Sequence, residues 1–386
     1  MKRGDNMYKG IKCKIYPNKK QKELIDMTFG HTRFVWNEML NMMNTRYKNN
    51  QSLKPLKRTQ LSVLLTQLKR EYTWLKDVDS VALQCTVLNL SDTFDRLFKK
   101  QSKYPKFKSK KYVSQSYTST IRGKGIRFNE NQRYIKLPKL NWVKCRSSIQ
   151  HIENERIKSV TVKRKSSGRY EISLLVESEN QTLHKTDKSV GIDLGLTDLA
   201  ILSDGQRFKS QKLHLKYQNQ LHYWEKRMAR RRLQAKKQGV SLIDAKNYQK
   251  AKRQVARIHE KITNTRNDYV HKITTYLVEN YDTIALEDLK VINMIKNHTL
   301  ARSIANQSWQ KFKTLIQYKC DRYDKQAIIV NPYKTSQMCS NCGYDSGKKT
   351  LDIRKWSCPK CRIEHDRDIN AAKNILKIGL GQALVK

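Results

Sequence analysis

Residues 335–343 read T-S-Q-M-C-S-N-C-G, and after a short spacer residues 356–376 read W-S-C-P-K-C-R-I-E-H-D-R-D-I-N-A-A-K-N-I-L. Cys339 and Cys342 form one C-x2-C pair, and Cys358 and Cys361 form a second, with fifteen residues between the pairs. That spacing is at the short end of a zinc ribbon. Four thiolates complete a tetrahedron and leave no open position, so one Zn²⁺ here is structural. The blander alternative is two disulfides or four unrelated thiols. Directly after the second pair come Asp366 and Asp368, followed by Ile369, Ala372, Ile375 and Leu376 at helical spacing. An acid in that position is either a helix N-cap or a reactive group, and acids elsewhere in the chain bear on the choice.

Working outward, the whole chain is strongly basic. Its 386 residues carry 79 Lys and Arg against 34 Asp and Glu, a net charge of +45. Such a surface calls for a polyanion, and a long nucleic acid is the favoured partner over a membrane surface. The sequence has no apolar run of bilayer length, and the N-terminus lacks a signal-peptide core, although Met7 is an alternative start to Met1. Cys13, Cys85, Cys145 and Cys320 lie singly in patterned segments and read as buried thiols, which with a thiolate zinc site points to a reducing cytoplasm.

In chain order, residues 8–16 alternate as a strand, and Pro17-Asn18 ends it. Three amphipathic helices follow, marked by Ile25, Phe29, Trp36, Met39, Leu40 and Met43; by Leu61, Leu65 and Leu68; and by Leu83, Val87, Leu90 and Phe94 after Asp79 or Ser80. Residues 99–112 then hold seven lysines and three aromatic rings. Lysines meet phosphates and rings stack on bases, so Lys103, Tyr104, Lys106, Phe107, Lys108 and Lys110 are candidate nucleic-acid contacts. A solvated linker is the plainer reading. Short strands fill 120–180, with a hairpin turning at S-S-G.

From Ser189 the pattern changes. S-V-G-I-D-L-G is a buried strand carrying Asp193, and L-A-I-L-S and Q-R-F-K continue a meander through Asp204-Gly205. Long helices are expected at about 212–236 and 245–280. The first bears R-M-A-R-R-R, whose Arg227, Arg230, Arg231 and Arg232 are further phosphate candidates. T-I-A-L-E-D-L is another buried strand, carrying Glu287. A helix near 303–322, a strand at 327–333 and the helix bearing Asp368 close the order.

A meander followed by alternating helices and strands is the order of an RNase H-like fold, in which acids on the first strand, a later strand and the last helix converge. Asp193, Glu287 and Asp368 hold those places. Three carboxylates suit Mg²⁺. Two such ions about 4 Å apart would activate water and stabilise the leaving oxygen of a phosphodiester, with Mn²⁺ able to substitute. Without metal, like-charge repulsion should raise one carboxylate pKa. Each acid also has a plain reading, as a turn cap, a strand end or an N-cap; Asp198, Asp204, Asp288 and Asp366 are decoys or helpers.

G-I-D-L-G-L-T-D-L-A, I-A-L-E-D-L, T-S-Q-M-C-S-N-C-G and H-D-R-D-I-N-A-A-K-N-I together resemble the TnpB (OrfB-type) proteins of insertion-sequence transposons, relatives of type V CRISPR effectors. K-I-Y-P-N near the N-terminus, Y-P-K-F-K-S-K at 104–110 and R-N-D-Y-V-H-K at 266–272 extend the likeness over nearly the whole chain. The resemblance implies a multidomain α+β chain: an oligonucleotide-binding-like β-barrel wedge domain (1–18 and 113–186), an inserted helical recognition domain (19–112), a RuvC-like nuclease domain (187–335 and 362–386) and a zinc ribbon (336–361). It also implies a prokaryotic RNA-guided DNA endonuclease that acts at the nucleoid, with a guide RNA from the transposon end and a short motif beside its double-stranded target. A monomer is the expected oligomeric state. By motif, Asp193, Glu287 and Asp368 match the family's catalytic acids. Two rival classes stay open: a DDE-type transposase using the same acids, and a non-catalytic zinc-containing nucleic-acid binder or repressor.

Overall fold

The computed structural model describes residues 7–52, 55–111, 115–121, 125–146, 152–179, 181–294, 296, 298–350 and 352–381. Met1, the rival start to Met7, and Tyr112, the last ring of the basic stretch, lie outside the described residues. The chain divides into two compact units, 1–179 and 180–386.

The first unit opens with strand β1 (Met7–Tyr16) and the helices α1 (Lys19–Asn49), α2 (Arg58–Glu71) and α3 (Ser80–Phe98). Asn18 and Gln21 cap α1 reciprocally, side chain to backbone in both directions, which accounts for the helix starting directly after Pro17. Asp79 caps α3 through the N–H of Val81. Strands β2 (Gln115–Thr120), β3 (Arg127–Phe128), β4 (Tyr134–Leu137), β5 (Asn141–Arg146), β6 (Ile157–Arg164) and β7 (Tyr170–Ser178) follow. With β1 they make a seven-stranded sheet in the order β2-β6-β7-β1-β5-β4-β3, a half-barrel whose end strands do not pair with each other among the described residues. The expected hairpin turn is formed at Gly168, where φ is +82°. Helix α1 serves two cores: Ile25 and Phe29 join the sheet's apolar face, while Val35, Met39, Leu40 and Met43 pack with α2 and α3.

The second unit begins with strands β8 (Ser189–Asp193), β9 (Asp198–Leu202) and β10 (Arg207–Lys209), the expected meander. Helices α4 (Leu213–Lys216), α5 (Gln218–Lys237) and α6 (Lys246–Asn280) lead to β11 (Thr283–Glu287). After α7 (Val291–Met294), the helix expected near 303–322 is two helices, α8 (His298–Gln307) and α9 (Trp309–Tyr323). Ser308 between them is left-handed, φ +58°, a conformation no continuous α-helix accommodates. Strand β12 (Gln326–Val330) stops short of the expected 333, because Pro332 has no N–H to offer a ladder. Strands β13 (Lys355–Ser357) and β14 (Glu364–Asp366) lie in the cysteine segment, and α10 (Arg367–Gly379) follows.

The five-stranded sheet runs β10-β9-β8-β11-β12. Its first two pairings are antiparallel and its last two parallel, the RNase H-like arrangement. One core lies between the sheet and helices α6, α8 and α9, around Phe312 and Ile316. Helix α10 packs on β8, β9, β11 and β12. Its approach is close enough that a Cβ on Gly191 would lie 2.1 Å from the carbonyl oxygen of Ala372, and one on Gly379 would lie 2.8 Å from Ala285 Cβ.

Candidate active site

The sheet's alternation decides where the acids point. In β8, Gly191 faces α10, and Asp193, two residues on, takes the same face. In β11, Ala285 packs against Ile375 of α10, so Glu287 takes that face too. The register pairs Ile192 with Leu286, so Asp193 and Glu287 stand side by side at the carboxyl ends of adjacent parallel strands. Asp368 comes from the first turn of the helix covering this face. Its neighbour in sequence, Asp366, is the N-cap, accepting the N–H groups of Asp368 and Ile369 at 3.1 and 3.0 Å. The capping role open to both acids therefore belongs to Asp366, leaving the Asp368 carboxylate free of it.

Asp193 feels the other two acids. Burial first, then the charges of Glu287 and Asp368, push the half-buried Asp193 carboxyl up to about 8, against the pull of Arg367 and of the Leu194 N–H. Burial raises Glu287 as well, while a hydrogen bond from Thr335 Oγ1 to its Oε1 at 2.5 Å works the other way. Arginines flank Asp368: Arg354 Nη1 donates to its two oxygens at 3.2 and 3.3 Å, and Arg207 forms an ion pair with it at 3.9 Å while also bridging Asp198 and Asp366. The three carboxylates are less tightly gathered than the cysteines, whose ligand atoms all lie within 4.8 Å of one another. Carboxylate oxygens on one face are the hard donors that Mg²⁺ or Mn²⁺ would take.

The remaining acids are committed elsewhere. Asp288 points away from Glu287, as alternation requires, and pairs with Lys313. Asp204 accepts from Tyr281 Oη. The sequence does not mark Thr335, Arg354 or Arg207 as site residues: each is a common polar type, and Thr335 meets Glu287 across 48 positions while Arg207 meets Asp366 across 159.

The cysteines meet in two knuckles. Cys339 O accepts from Gly343 N, and Cys358 O from Arg362 N, with φ positive at both Gly343 and Arg362. Cys339 and Cys361 sulfurs are 3.7 Å apart, and Cys342 and Cys358 sulfurs 3.6 Å. A tetrahedron with Zn–S of about 2.3 Å has sulfurs separated by about 3.8 Å, so the set fits one zinc. The backbone N–H of Ile363, with help from the other sulfurs, holds the Cys361 thiol down to about 6, while burial pushes Cys339 up to about 12, so without metal the set holds a ready thiolate beside a tightly held proton. Cys13, Cys85, Cys145 and Cys320 are buried, as expected.

The lysine-rich stretch is a pinned strap in the first unit. Trp36 Nε1 donates to the carbonyl of Lys106, Asn37 exchanges two hydrogen bonds with the Lys108 backbone, and Tyr104 Oη donates to Asn44. Lys108 Nζ sits 3.5 Å over the Trp36 ring, and burial lowers its pKa to about 8, so this lysine turns inward. Lys103, Lys106, Phe107 and Lys110 face solvent, as does half of Tyr104. On α5, Arg227 lies over Tyr223 and Trp224, Arg230 and Arg232 are exposed, and Arg231 donates to Gln234.

Comparison with known proteins covers nearly the whole chain. Family models described as a helix-turn-helix domain, a "Probable transposase" and a "Cas12f1-like, TNB domain" match residues 7–52, 172–298 and 309–375. In this chain the first of these spans is β1 and α1. A "Putative RNA-guided DNA endonuclease" of Streptomyces pristinaespiralis is 34% identical over 380 residues, 96% of this chain and 89% of the relative. The Escherichia coli "Putative RNA-guided DNA endonuclease InsQ" is 30% identical over 385 residues, 96% of this chain and 92% of the relative. Among solved structures, the Cas12f1–sgRNA–target DNA complex aligns with a TM-score of 0.54 at 15% identity, over 96% of this chain and 98% of that one, a likeness of fold. With relatives of this length and identity, and with family models for a probable transposase and a Cas12f1-like TNB domain matching 172–298 and 309–375, the chain belongs to the TnpB (OrfB-type) family of insertion-sequence transposon proteins.

Proposed function

We propose that this protein is an RNA-guided, Mg²⁺-dependent DNA endonuclease of transposon origin, with Asp193, Glu287 and Asp368 as its catalytic metal ligands. The observation that carries the reading is a common face: two adjacent strand ends and a helix start present three acids on it, and burial, then the charges of the other two, pushes Asp193 up to about 8. The names of the relatives at 34% and 30% identity supply the substrate class. Magnesium held by the three carboxylates would supply Lewis acidity and a water of lowered pKa for phosphodiester hydrolysis. The chain's own residues set the geometry. Parallel pairing fixes Asp193 beside Glu287, and the capped start of α10 presents Asp368.

Target sequence is read by pairing with the guide RNA, and protein contacts read a short flanking motif and hold backbones. The half-barrel serves as the wedge domain (1–18 and 113–186) and the helical block as the recognition domain (19–112). Residues 187–335 and 362–386 form the nuclease domain, and 336–361 the zinc ribbon, with Cys339, Cys342, Cys358 and Cys361 holding one structural Zn²⁺. Lys103, Tyr104, Lys106, Phe107 and Lys110, with Arg227, Arg230, Arg231 and Arg232, contact nucleic acid; Lys108 supports the strap from beneath. The protein acts as a monomer.

The test is cleavage of a plasmid matched to the RNA that co-purifies with the protein, with wild type, Asp193→Ala and Glu287→Ala compared in Mg²⁺. Wild-type cutting that needs the RNA, with both variants inactive, is the expected result. Equal cutting by all three would end the catalytic assignment, and joined strand-transfer products would favour a DDE-type transposase instead.

A further inference from the structure

Glu287 is the most enclosed of the three acids at 8% exposure, and a buried carboxylate needs a fixed partner to stay both ionised and oriented. Among the described residues that partner is the hydroxyl of Thr335, 4% exposed, which donates to Oε1 at 2.5 Å and leaves Oε2 unengaged by it. Thr335 does not hold this place through its own local structure. The residue before it, Lys334, is left-handed at φ +57°, and the segment is a run of turns.

Its backbone is instead clamped by α10. Asn374 Nδ2 donates to the carbonyls of both Thr335 and Met338 at 2.8 Å. Asn370, one helical turn earlier, donates to Met338 O and accepts from Ser340 N, each at 2.8 Å. Lys377 Nζ closes the row on Ser340 O. Asn374 is fully buried, and its Oδ1 finds no hydrogen-bond partner among the described residues. Burying an unpaired oxygen is costly, so this amide is kept for its donors. The clamped residues run from the partner of Glu287 to both sides of the zinc ligand Cys339.

We propose that Thr335 is a positioning residue for Glu287, and that Asn370 and Asn374 lock it to the first cysteine knuckle, so that assembly of the ribbon sets the orientation of a nuclease carboxylate. The inference rests on the reading of Asp193, Glu287 and Asp368 as metal ligands. Residues that orient a metal ligand typically contribute about 10- to 100-fold in metal affinity or activity.

The full-length, zinc-loaded protein is compared as wild type, Thr335→Val, Thr335→Ser, Thr335→Ala and Glu287→Gln. Readouts are Mn²⁺ binding by calorimetry, the pH profile of plasmid cleavage, zinc content and melting temperature. Thr335→Val should keep its zinc, bind Mn²⁺ roughly 10- to 100-fold more weakly, and lose activity with the acid limb of the profile moved to higher pH. Thr335→Ser should restore all three. If the valine variant does not fold, the alanine variant is judged by the same measurements. Wild-type Mn²⁺ binding and pH profile in Thr335→Val, or in its alanine replacement, beside an inactive Glu287→Gln overturns the positioning role alone. Wild-type cutting by Glu287→Gln overturns the metal-ligand reading and the positioning role with it.

Discussion

Replacing Asp193 with asparagine should stabilise the metal-free protein while abolishing its cutting. In the fold this carboxyl is raised from 3.8 to about 8, first by burial and then by Glu287 and Asp368. A carboxyl that holds its proton more tightly when folded makes stability fall as pH rises, here from about 4 to about 8. At pH 7 the unfolded chain has released the proton and the folded one has not. That is a gap of roughly three pK units, which at about 1.36 kcal/mol per unit amounts to about 4 kcal/mol. Water reaches the half-buried side chain and screens part of the repulsion, leaving about 2 kcal/mol. An asparagine side chain cannot ionise, so Asp193→Asn should exceed wild type by this amount at pH 7 and match it near pH 4. Urea unfolding in magnesium-free buffer with zinc retained, followed across that range, measures the difference. Magnesium should then raise the wild-type midpoint much more than that of the variant, because a ligand stabilises only the state that binds it. A pH-independent difference between the two proteins, or equal stabilisation of both by magnesium, would refute the idea of an electrostatically stressed metal site.

Two further outcomes follow from the packing and the knuckles. Gly191→Ala would put a methyl group 2.1 Å from a carbonyl of α10; forcing the helix away should cost about 3 kcal/mol in thermal unfolding and suppress cleavage. Cys358→Ser should reduce zinc content by elemental analysis and expose amides of residues 336–365 to hydrogen exchange, while the helices and half-barrel of the first unit keep their protection.

The features readable in the sequence are those written in short-range spacing. The cysteine pairs, the meander and the amphipathic helices each repeat within a few residues, and an acid inside an apolar strand is conspicuous for the burial it must survive. The choice of Glu287 over Asp288 comes from the E-D-L motif, and the structure turns the second acid to Lys313. Other features depend on partners far apart in sequence. Thr335 meets Glu287 across 48 positions, and Arg207 meets Asp366 across 159. Arg354 reaches Asp368 from a spacer with no periodicity to mark it. Ser308 breaks what reads as one helix, because a single left-handed residue leaves no trace in the apolar pattern. Composition alone could not show that Lys108 turns onto the Trp36 ring while its neighbours in the strap face water.

The order of synthesis gives α10 one more consequence. Strands β8 and β11 precede residues 367–379 in the chain, and among the described residues α10 packs on the face they share. A nascent or prematurely terminated polypeptide would carry two of the acids on an open apolar surface, without the third and without the asparagine clamp. On the proposed roles of Asp193, Glu287 and Asp368, a chain that ends before α10 should cut no DNA.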